Sequence, residues 1–314
     1  MRYTIAVPTY NNCSTIEKTL VSCLKQDYQG EYEVLVVDNA CTDGTVKILD
    51  SFGDKIRRIR NNHTVTLYEN HNICLNNAKG EYIIFCHSDD ELVPDALNKL
   101  NIALNKRNFP NKYVIWGRSK FRDYYIHLQR YNFPLDTKLS GNNSIKPTLH
   151  GGLTPSGTCY SVKSFKEIGG FLDTDHKRAP SDLTSMWKLS LNGFEFEMSS
   201  QMFFLRKYAS TAINLTLKKT INSELHAIKI FLQIISKKEK KMFVEIIKNL
   251  DLSDSIPLTV LLINLNIINI REALNKRLTN CLFQPKKYLN RSSIYLFIEL
   301  LKLIFIKKQI KVHV

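Results

Sequence analysis

Apolar residues along the chain fall into two patterns: short unbroken runs, and stretches where they recur every three or four positions. Residues 3–8 and 33–37 are runs of the first kind, and Glu33-Val34-Leu35-Val36-Val37 is continuous enough to be covered on both faces of a sheet. Between them, Ser14-Thr15-Ile16-Glu17 has the spacing of a capping box. Ile16, Leu20 and Leu24 follow at four-residue steps, which predicts a helix. Residues 42–45 open a second short helix, 65–68 read as a third strand, 72–78 as a helix and 82–86 as a fourth strand. Pro94 suits the first turn of a helix that runs to residue 106, and 113–116 read as a fifth strand. This alternation predicts an α/β fold, a mostly parallel sheet with helices on both faces. Ligands of such sheets bind beyond the carboxyl ends of the strands.

From 133 to 158 the composition turns to Gly, Pro, Ser, Asn and Thr, which reads as loop. Helices are expected over 161–168, stopped by Gly169-Gly170, and over 181–192, stopped by Gly193. Beyond Leu215 strand signals vanish, and helices rich in Ile, Leu, Lys and Asn remain. The charge changes at the same place. Of the net +15 of the 314-residue chain, residues 215–314 hold +11, with 18 Lys/Arg against 7 Asp/Glu. Residues 1–214 hold +4, with 26 against 22. Both signals divide the chain into an α/β domain over 1–214 and a basic helical extension over 215–314.

An apolar content of 44% with 23% charged residues excludes wholesale disorder and collagen-like repeats. No run of 18 uncharged apolar residues occurs, and the opening residues lack a signal-peptide core, so neither a membrane span nor export is expected. The cysteines, at 13, 23, 41, 74, 86, 159 and 281, include no C-x-x-C spacing. Reduced thiols and a cytoplasmic chain are the simpler expectation than a disulfide framework or zinc ribbon.

The chain has no G-x-G-x-x-G and no Walker A segment, and it lacks H-E-x-x-H and G-x-S-x-G. Its candidate chemistry lies at strand ends instead. Strand one ends in Val7-Pro8-Thr9-Tyr10-Asn11. Strand two ends in Val37-Asp38-Asn39, before Cys41-Thr42-Asp43-Gly44-Thr45. Strand four ends in Phe85-Cys86-His87-Ser88-Asp89-Asp90. Taken singly, each Asp reads better as a helix cap or turn former than as a ligand. Taken together, Asp38, Asp89 and Asp90 would converge on one crevice, where carboxylates can bond a base or ribose or ligate a divalent cation.

In order and spacing these segments, with Ala78-Lys79-Gly80-Glu81-Tyr82, resemble the inverting family-2 glycosyltransferases of GT-A, Rossmann-like fold, over residues 1–214. The resemblance implies a nucleotide-sugar half over 1–116 and an acceptor half over 117–214. It implies that Pro8, Thr9, Tyr10 and Asn11 line the nucleobase pocket and that Asp38 bonds uracil. Ser88 and Asp89 would hold the donor, Asp89 as the last acid of the family's D-x-D, with Asp90 and His87 as further metal candidates for Mn²⁺ or Mg²⁺. Asn72 matches the Asn of the family's A-R-N-x-G segment. The segments depart from the family in places: His87 replaces the first acid of D-x-D, and His71 and Cys74 replace the Arg and Gly of A-R-N-x-G.

After the Gly169-Gly170-Phe171 turn, Pro180-Ser181-Asp182 resembles the family's acidic helix start, which implies that Asp182 is the catalytic base and Trp187 its acceptor-side aromatic. An inverting transfer needs one carboxylate to take the acceptor proton; the alternative for Asp182 is a plain helix cap. Leu205-Arg206-Lys207-Tyr208 resembles the family's R-x-H segment, with Tyr208 in the place of His and Arg206 left to bind diphosphate or to stay solvated. The loop at 151–157, ending in Gly157, is either an acceptor-side flap or an ordinary turn.

In the tail, Lys237, Lys238, Lys240 and Lys241 sit among apolar positions at helical spacing, and residues 292–306 form an apolar helix with a basic flank. Both suit a helix lying on an anionic membrane surface, or a bundle with a solvated Lys face. Aliphatic rather than aromatic neighbours argue against nucleic acid. The resemblance as a whole implies transfer of a hexose or N-acetylhexosamine from a UDP-sugar to a polyprenyl-diphosphate-linked saccharide, as in O-antigen or capsule assembly, by a peripheral protein at the cytoplasmic face of a bacterial membrane. The alternative is a non-catalytic nucleotide- or glycan-binding relative.

Overall fold

A computed structural model describes residues 1–121, 124–125, 134–140, 144–145, 155–173, 181–206 and 217–248. The chain separates into two compact units, Met1–Asp175 with Ser181–Ile213, and His176–Pro180 with Asn214–Val314.

The first unit is built on one mixed sheet. Its elements, in chain order, are β1 (Tyr3–Thr9), α1 (Ile16–Leu24), β2 (Tyr32–Asp38), α2 (Thr45–Phe52), β3 (Arg57–Arg60), α3 (Leu67–Asn77), β4 (Tyr82–Phe85), β5 (Asp90–Leu92), α4 (Ala96–Asn105), β6 (Tyr113–Phe121), β7 (Tyr124–Tyr125), β8 (Lys138–Leu139), β9 (Thr158–Ser161), α5 (Val162–Glu167), α6 (Ser181–Leu191) and β10 (Glu195–Arg206). Strands run in the order β3-β2-β1-β4-β9-β6-β10-β5. The β3-β2-β1-β4 half is parallel, β9 is inserted antiparallel between β4 and β6, and β10 runs parallel to β6.

Strand alternation sends Tyr3, Ile5 and Val7 to one face, against Ile16 and Leu20 of α1 and Leu97 and Leu100 of α4. Ala6 of β1, Leu35 and Val37 of β2, and Ile83 and Phe85 of β4 meet Leu75 of α3, Phe165 of α5 and Met186 and Leu189 of α6 on the other. Helices thus cover both faces, and the parallel strands deliver their carboxyl ends to one edge of the sheet.

Three expectations need correction. Residues 65–68 are no strand: Thr66 caps α3, its Oγ1 accepting from the Glu69 amide at 3.2 Å, so the helix starts five residues early. The third strand is Arg57–Arg60, a charged segment at the sheet edge, where apolar content is not needed. The Ser14–Glu17 capping box does not form either. Thr15 is the cap residue but makes no capping bond, and its hydroxyl donates to the Ser88 carbonyl at 2.7 Å. The short β5 and β9 and the twelve-residue β10 carried no strand signal strong enough to be read.

In the second unit, α7 (Leu217–Ile234) and α8 (Lys237–Lys248) pack Phe231 against Phe243, ring centroids 5.1 Å apart. Ser236 and Glu239 form a reciprocal capping box at the start of α8, with bonds of 2.8 and 3.2 Å. Among the described residues no helix is long and apolar enough to cross a membrane. The helix expected over 292–306 lies outside the described residues.

Candidate active site

The edge formed by the ends of β1, β2 and β4 collects the predicted donor-side residues. Beyond β1, Asn11 has a left-handed backbone (φ 51°), and its side-chain oxygen accepts from the Thr42 amide at 2.9 Å. This turns the chain so that Tyr10 is half exposed, whereas Pro8 and Thr9 are buried in the strand. The Thr9 hydroxyl is buried without a hydrogen-bond partner, a polar atom left over at the mouth of the sheet.

Asp38 closes β2 with its side chain fully buried. Its carboxylate accepts from the Cys41 amide at 2.8 Å and from the guanidiniums of Arg58 and Arg60, each at 2.5 Å. Arg58 and Arg60 sit two apart on β3 and so share a face, Arg60 in register with Asp38. Burial opposes ionisation, but the amide and the two cations outweigh it and hold the carboxyl below its ordinary range. Both oxygens are thereby occupied. The group offered outward at this place is Arg60, 44% exposed. The expectation that Asp38 itself reaches uracil overlooked these arginines, because β3 was not recognised.

The turn after β4 is fastened from three sides. Ser88 Oγ donates to Asn12 Oδ1 at 2.9 Å, Thr15 holds the Ser88 carbonyl, and the Ser156 hydroxyl accepts from the His87 amide at 3.1 Å. The turn closes on itself through the Asp90 amide and His87 carbonyl, 2.9 Å apart. It brings His87, Asp89 and Asp90 together with ligand-capable atoms all within 4.8 Å of one another, Asp90 buried and the other two partly so. One nitrogen and two carboxylates form a donor set suited to a divalent transition metal such as Mn²⁺. The register of β10 against β5 sets the Arg206 backbone opposite Asp90. Tyr208 and residues 151–154 lie outside the described residues.

Asp182 opens α6, partly buried, its Oδ1 accepting from the Leu183 amide at 2.9 Å. Burial pushes its carboxyl up to about 6, against the pull of nearby backbone amides. Burial, followed by the Asp182 charge, likewise raises the Tyr68 phenol. From Tyr68 a chain of rings leads back to the metal candidates. Tyr68 and His71 are 5.4 Å apart, and His71 and His87 5.2 Å. Burial and the neighbouring His87 push His71 down to about 3, so it is neutral. Asp182 and the His87–Asp89–Asp90 cluster thus lie at the two ends of one ring chain.

Other expected contacts resolve differently. Asn72 spends both ends of its amide on the Phe171 backbone, at 2.8 and 2.9 Å. Its task is to pin the Gly169-Gly170-Phe171 turn to α3, in place of the donor contact expected of it. Gly170, at φ +66°, leaves room for that amide. Trp187 has no exposed surface and belongs to the packing of α6, so it does not present its ring to an acceptor. Gly157 is likewise buried (φ +74°), and a Cβ there would collide with Phe204, which makes it a close-packing position. Tyr68, Arg58, Arg60 and Ser156 were missed. For Tyr68 a signal existed, the T-x-x-E spacing of Thr66 and Glu69, which marks the helix start.

The sheet order and the position of this cluster define a GT-A transferase scaffold. The chain belongs to glycosyl transferase family 2, whose pattern matches residues 4–169, more than half of it. It is similar to an uncharacterized glycosyltransferase of Haemophilus influenzae (27% identity, 63% of this chain, 85% of that one). It is also similar to the putative teichuronic acid biosynthesis glycosyltransferase TuaG of Bacillus subtilis (28%, 60% and 72%). Other matches are partial: the chain spans 30% of an uncharacterized protein of Mycobacterium tuberculosis, at 40% identity. Among solved structures, residues 1–349 of Staphylococcus aureus TarS in complex with UDP-GlcNAc share the fold, with TM-score 0.63 and 18% identity over 98% of this chain and 93% of that one. A Pyrobaculum calidifontis mannosyltransferase, PcManGT, in complex with GDP-Man and Mn²⁺, gives 0.54 and 17% over 98% and 88%. The chain also matches 18% of the poly(ribitol-phosphate) beta-N-acetylglucosaminyltransferase TarS of Staphylococcus aureus, at 34% identity over 31% of this chain.

Proposed function

We propose that the chain is an inverting glycosyltransferase that moves a hexose or N-acetylhexosamine from a UDP-sugar to a hydroxyl of a lipid-diphosphate-linked saccharide. The observation that carries this reading is the pairing, within one unit, of the His87–Asp89–Asp90 cluster with Asp182, a carboxyl raised to about 6. A general base works best with a pKa near the operating pH, because it is then both largely ionised and basic enough to accept a proton.

In this reading Asp182 takes the proton of the acceptor hydroxyl as its oxygen attacks the anomeric carbon. Tyr10 offers its exposed ring to the nucleobase, and Thr9 offers its unpartnered hydroxyl. Asp38 acts through Arg60, which it holds at the pocket. Ser88 steadies the turn that holds Asp89, and Arg206, the last residue of β10, is assigned to the diphosphate. A divalent cation, Mn²⁺ or Mg²⁺, held by Asp89 and Asp90 with His87, would neutralise the charge that grows on the departing diphosphate.

The UDP-GlcNAc complex of TarS supports the donor class, and the Mn²⁺ complex of PcManGT supports the metal. A Campylobacter jejuni relative, a GalNAc(5)-diNAcBac-PP-undecaprenol beta-1,3-glucosyltransferase (31% identity over 109 residues, 33% of this chain and 35% of that one), supports the lipid-diphosphate acceptor. Lys237, Lys238 and Lys241 are exposed on α8. In this reading they face an anionic leaflet at the cytoplasmic side of the membrane, each adding about 1 kcal/mol. The replacement of the family's first acid by His87 favours, as a second reading, a non-catalytic nucleotide-binding relative.

Incubating the full chain with a panel of nucleotide-sugars, lipid-diphosphate saccharides and Mn²⁺ separates the two. Acceptor-dependent UDP release that stops on chelation is expected. UDP binding that never leads to turnover with any acceptor would favour the second reading.

A further inference from the structure

Two of the departures from the family pattern, His71 and His87, are one structural feature. Their rings meet edge to face with the two Nε2 atoms 3.1 Å apart, and His71 Nδ1 lies 2.7 Å from the Leu67 carbonyl. A carbonyl oxygen can only accept, so His71 Nδ1 carries the proton. The His71 ring is fully buried, stacked on Phe85 at 5.1 Å and flanked by Tyr68 and Phe171, surroundings that favour the uncharged imidazole. A neutral ring protonated on Nδ1 has a bare Nε2, and that atom can only accept. The proton between the two rings therefore belongs to His87 Nε2, and Nδ1 is the basic nitrogen of His87.

We infer that His71 is a positioning residue for a metal-ligating His87: it fixes the tautomer and plane of the His87 ring so that Nδ1 joins the Asp89 and Asp90 carboxylates around a divalent cation, with a preference for Mn²⁺ over Mg²⁺. Metal-ligating histidines are regularly held in this way by an acceptor on the other ring nitrogen, and loss of that acceptor costs about 10–100-fold in affinity. Here the acceptor is itself a histidine, anchored one helical turn back on α3 to Leu67. The His87 backbone is held separately, by Ser156 and by the closure of the turn on Asp90. His71 acts on the ring itself, through the contact between the two Nε2 atoms. Imidazole nitrogen is a better donor for Mn²⁺ than for Mg²⁺, which prefers oxygen.

This inference rests on the metal-assisted transferase reading, and its test is kept apart from turnover. Mn²⁺ and Mg²⁺ are titrated onto the full chain in saturating UDP. Bound Mn²⁺ is read by electron paramagnetic resonance, and directly coordinated nitrogen by spin-echo modulation. Wild type is expected to bind Mn²⁺ more tightly than Mg²⁺ and to show nitrogen coupling, which His87→Ala abolishes. His71→Phe keeps the ring packing but offers no acceptor; it should weaken Mn²⁺ binding about 10–100-fold and Mg²⁺ binding much less. His71→Gln, which restores an acceptor oxygen, should recover most of the loss. A metal-free nitrogen NMR spectrum of wild type should show His87 protonated on Nε2, a readout independent of whether any variant folds. Wild-type Mn²⁺ affinity in a folded His71→Phe variant that still transfers sugar overturns this inference alone, as does protonation of His87 on Nδ1. Absence of UDP binding by wild type would overturn the proposed function with it.

Discussion

Asp38 and Asp182 are both carboxylates near the binding edge, one closing a strand and one opening a helix, and their settings are opposite. Asp38 is sealed in with two arginines and an amide, which hold its proton off. Asp182 is bonded by backbone amides, and burial lifts its carboxyl to about 6. Two groups of the same chemistry are thereby sorted into a permanent anion that organises cations and a carboxyl lifted toward neutral pH, which the proposed function uses as its base. Position at a strand or helix end does not make that distinction; the neighbours do.

The comparison breaks most sharply if Asp38 is neutralised. Asp38→Asn leaves Arg58 and Arg60 against a buried group that no longer balances them. Both guanidiniums keep some access to water, so the expected loss is about 2–4 kcal/mol, read as a lowered urea midpoint. Because its folded pKa is depressed, the stabilisation by Asp38 is fully present above about pH 4 and is lost as pH falls below that. Asp182→Asn should do the reverse. Its folded pKa, about 6, lies above the ordinary 3.8, so the charged form is disfavoured in the fold and stability declines as pH rises from about 4 to 6. The Asn variant should be more stable than wild type by about 1–2 kcal/mol at neutral pH, with the gap closing toward pH 4 in thermal melts. On the same ground, kcat/KM of the wild type should fall about tenfold per pH unit below about 6 and level off above it. A profile flat down to pH 5 would remove Asp182 from the role of base. The smallest effect sharpens the contrast between the units. Ser236→Ala removes the α8 cap at a cost of about 1 kcal/mol to the helical unit and leaves UDP binding unchanged by titration.

Much of the candidate site at the sheet edge was legible because parallel strands buried on both faces write themselves as apolar runs, and their ends are easy to locate. Asp38, Asp89 and Asp90 were found that way. Arg58 and Arg60 were not, because an edge strand needs no apolar run and theirs is Arg-Arg-Ile-Arg. The cap at Thr66 was written in the chain as T-x-x-E but was outvoted by the β-branched and aromatic residues around it. Ser14–Glu17 erred in the other direction: the pattern was present, but the helix starts one residue later, with Thr15 as its cap residue, and the Thr15 hydroxyl goes to Ser88 instead. Trp187 and Gly157 sit close in sequence to candidate site residues, yet burial decides what each can touch, and both are core. The contact between His71 and His87, sixteen residues apart, follows from the packing of α3 against β4 and has no local signature.

In the proposed reaction Asp182 removes the acceptor proton and does nothing to hold the donor. That role is tested most directly by comparing Asp182→Asn with wild type in two assays on one preparation, sugar transfer to acceptor and UDP affinity with Mn²⁺ present. Transfer should fall by about 10²–10⁴-fold while UDP affinity stays within a few-fold. Transfer at the wild-type rate, or loss of transfer that merely tracks loss of UDP binding, would contradict it.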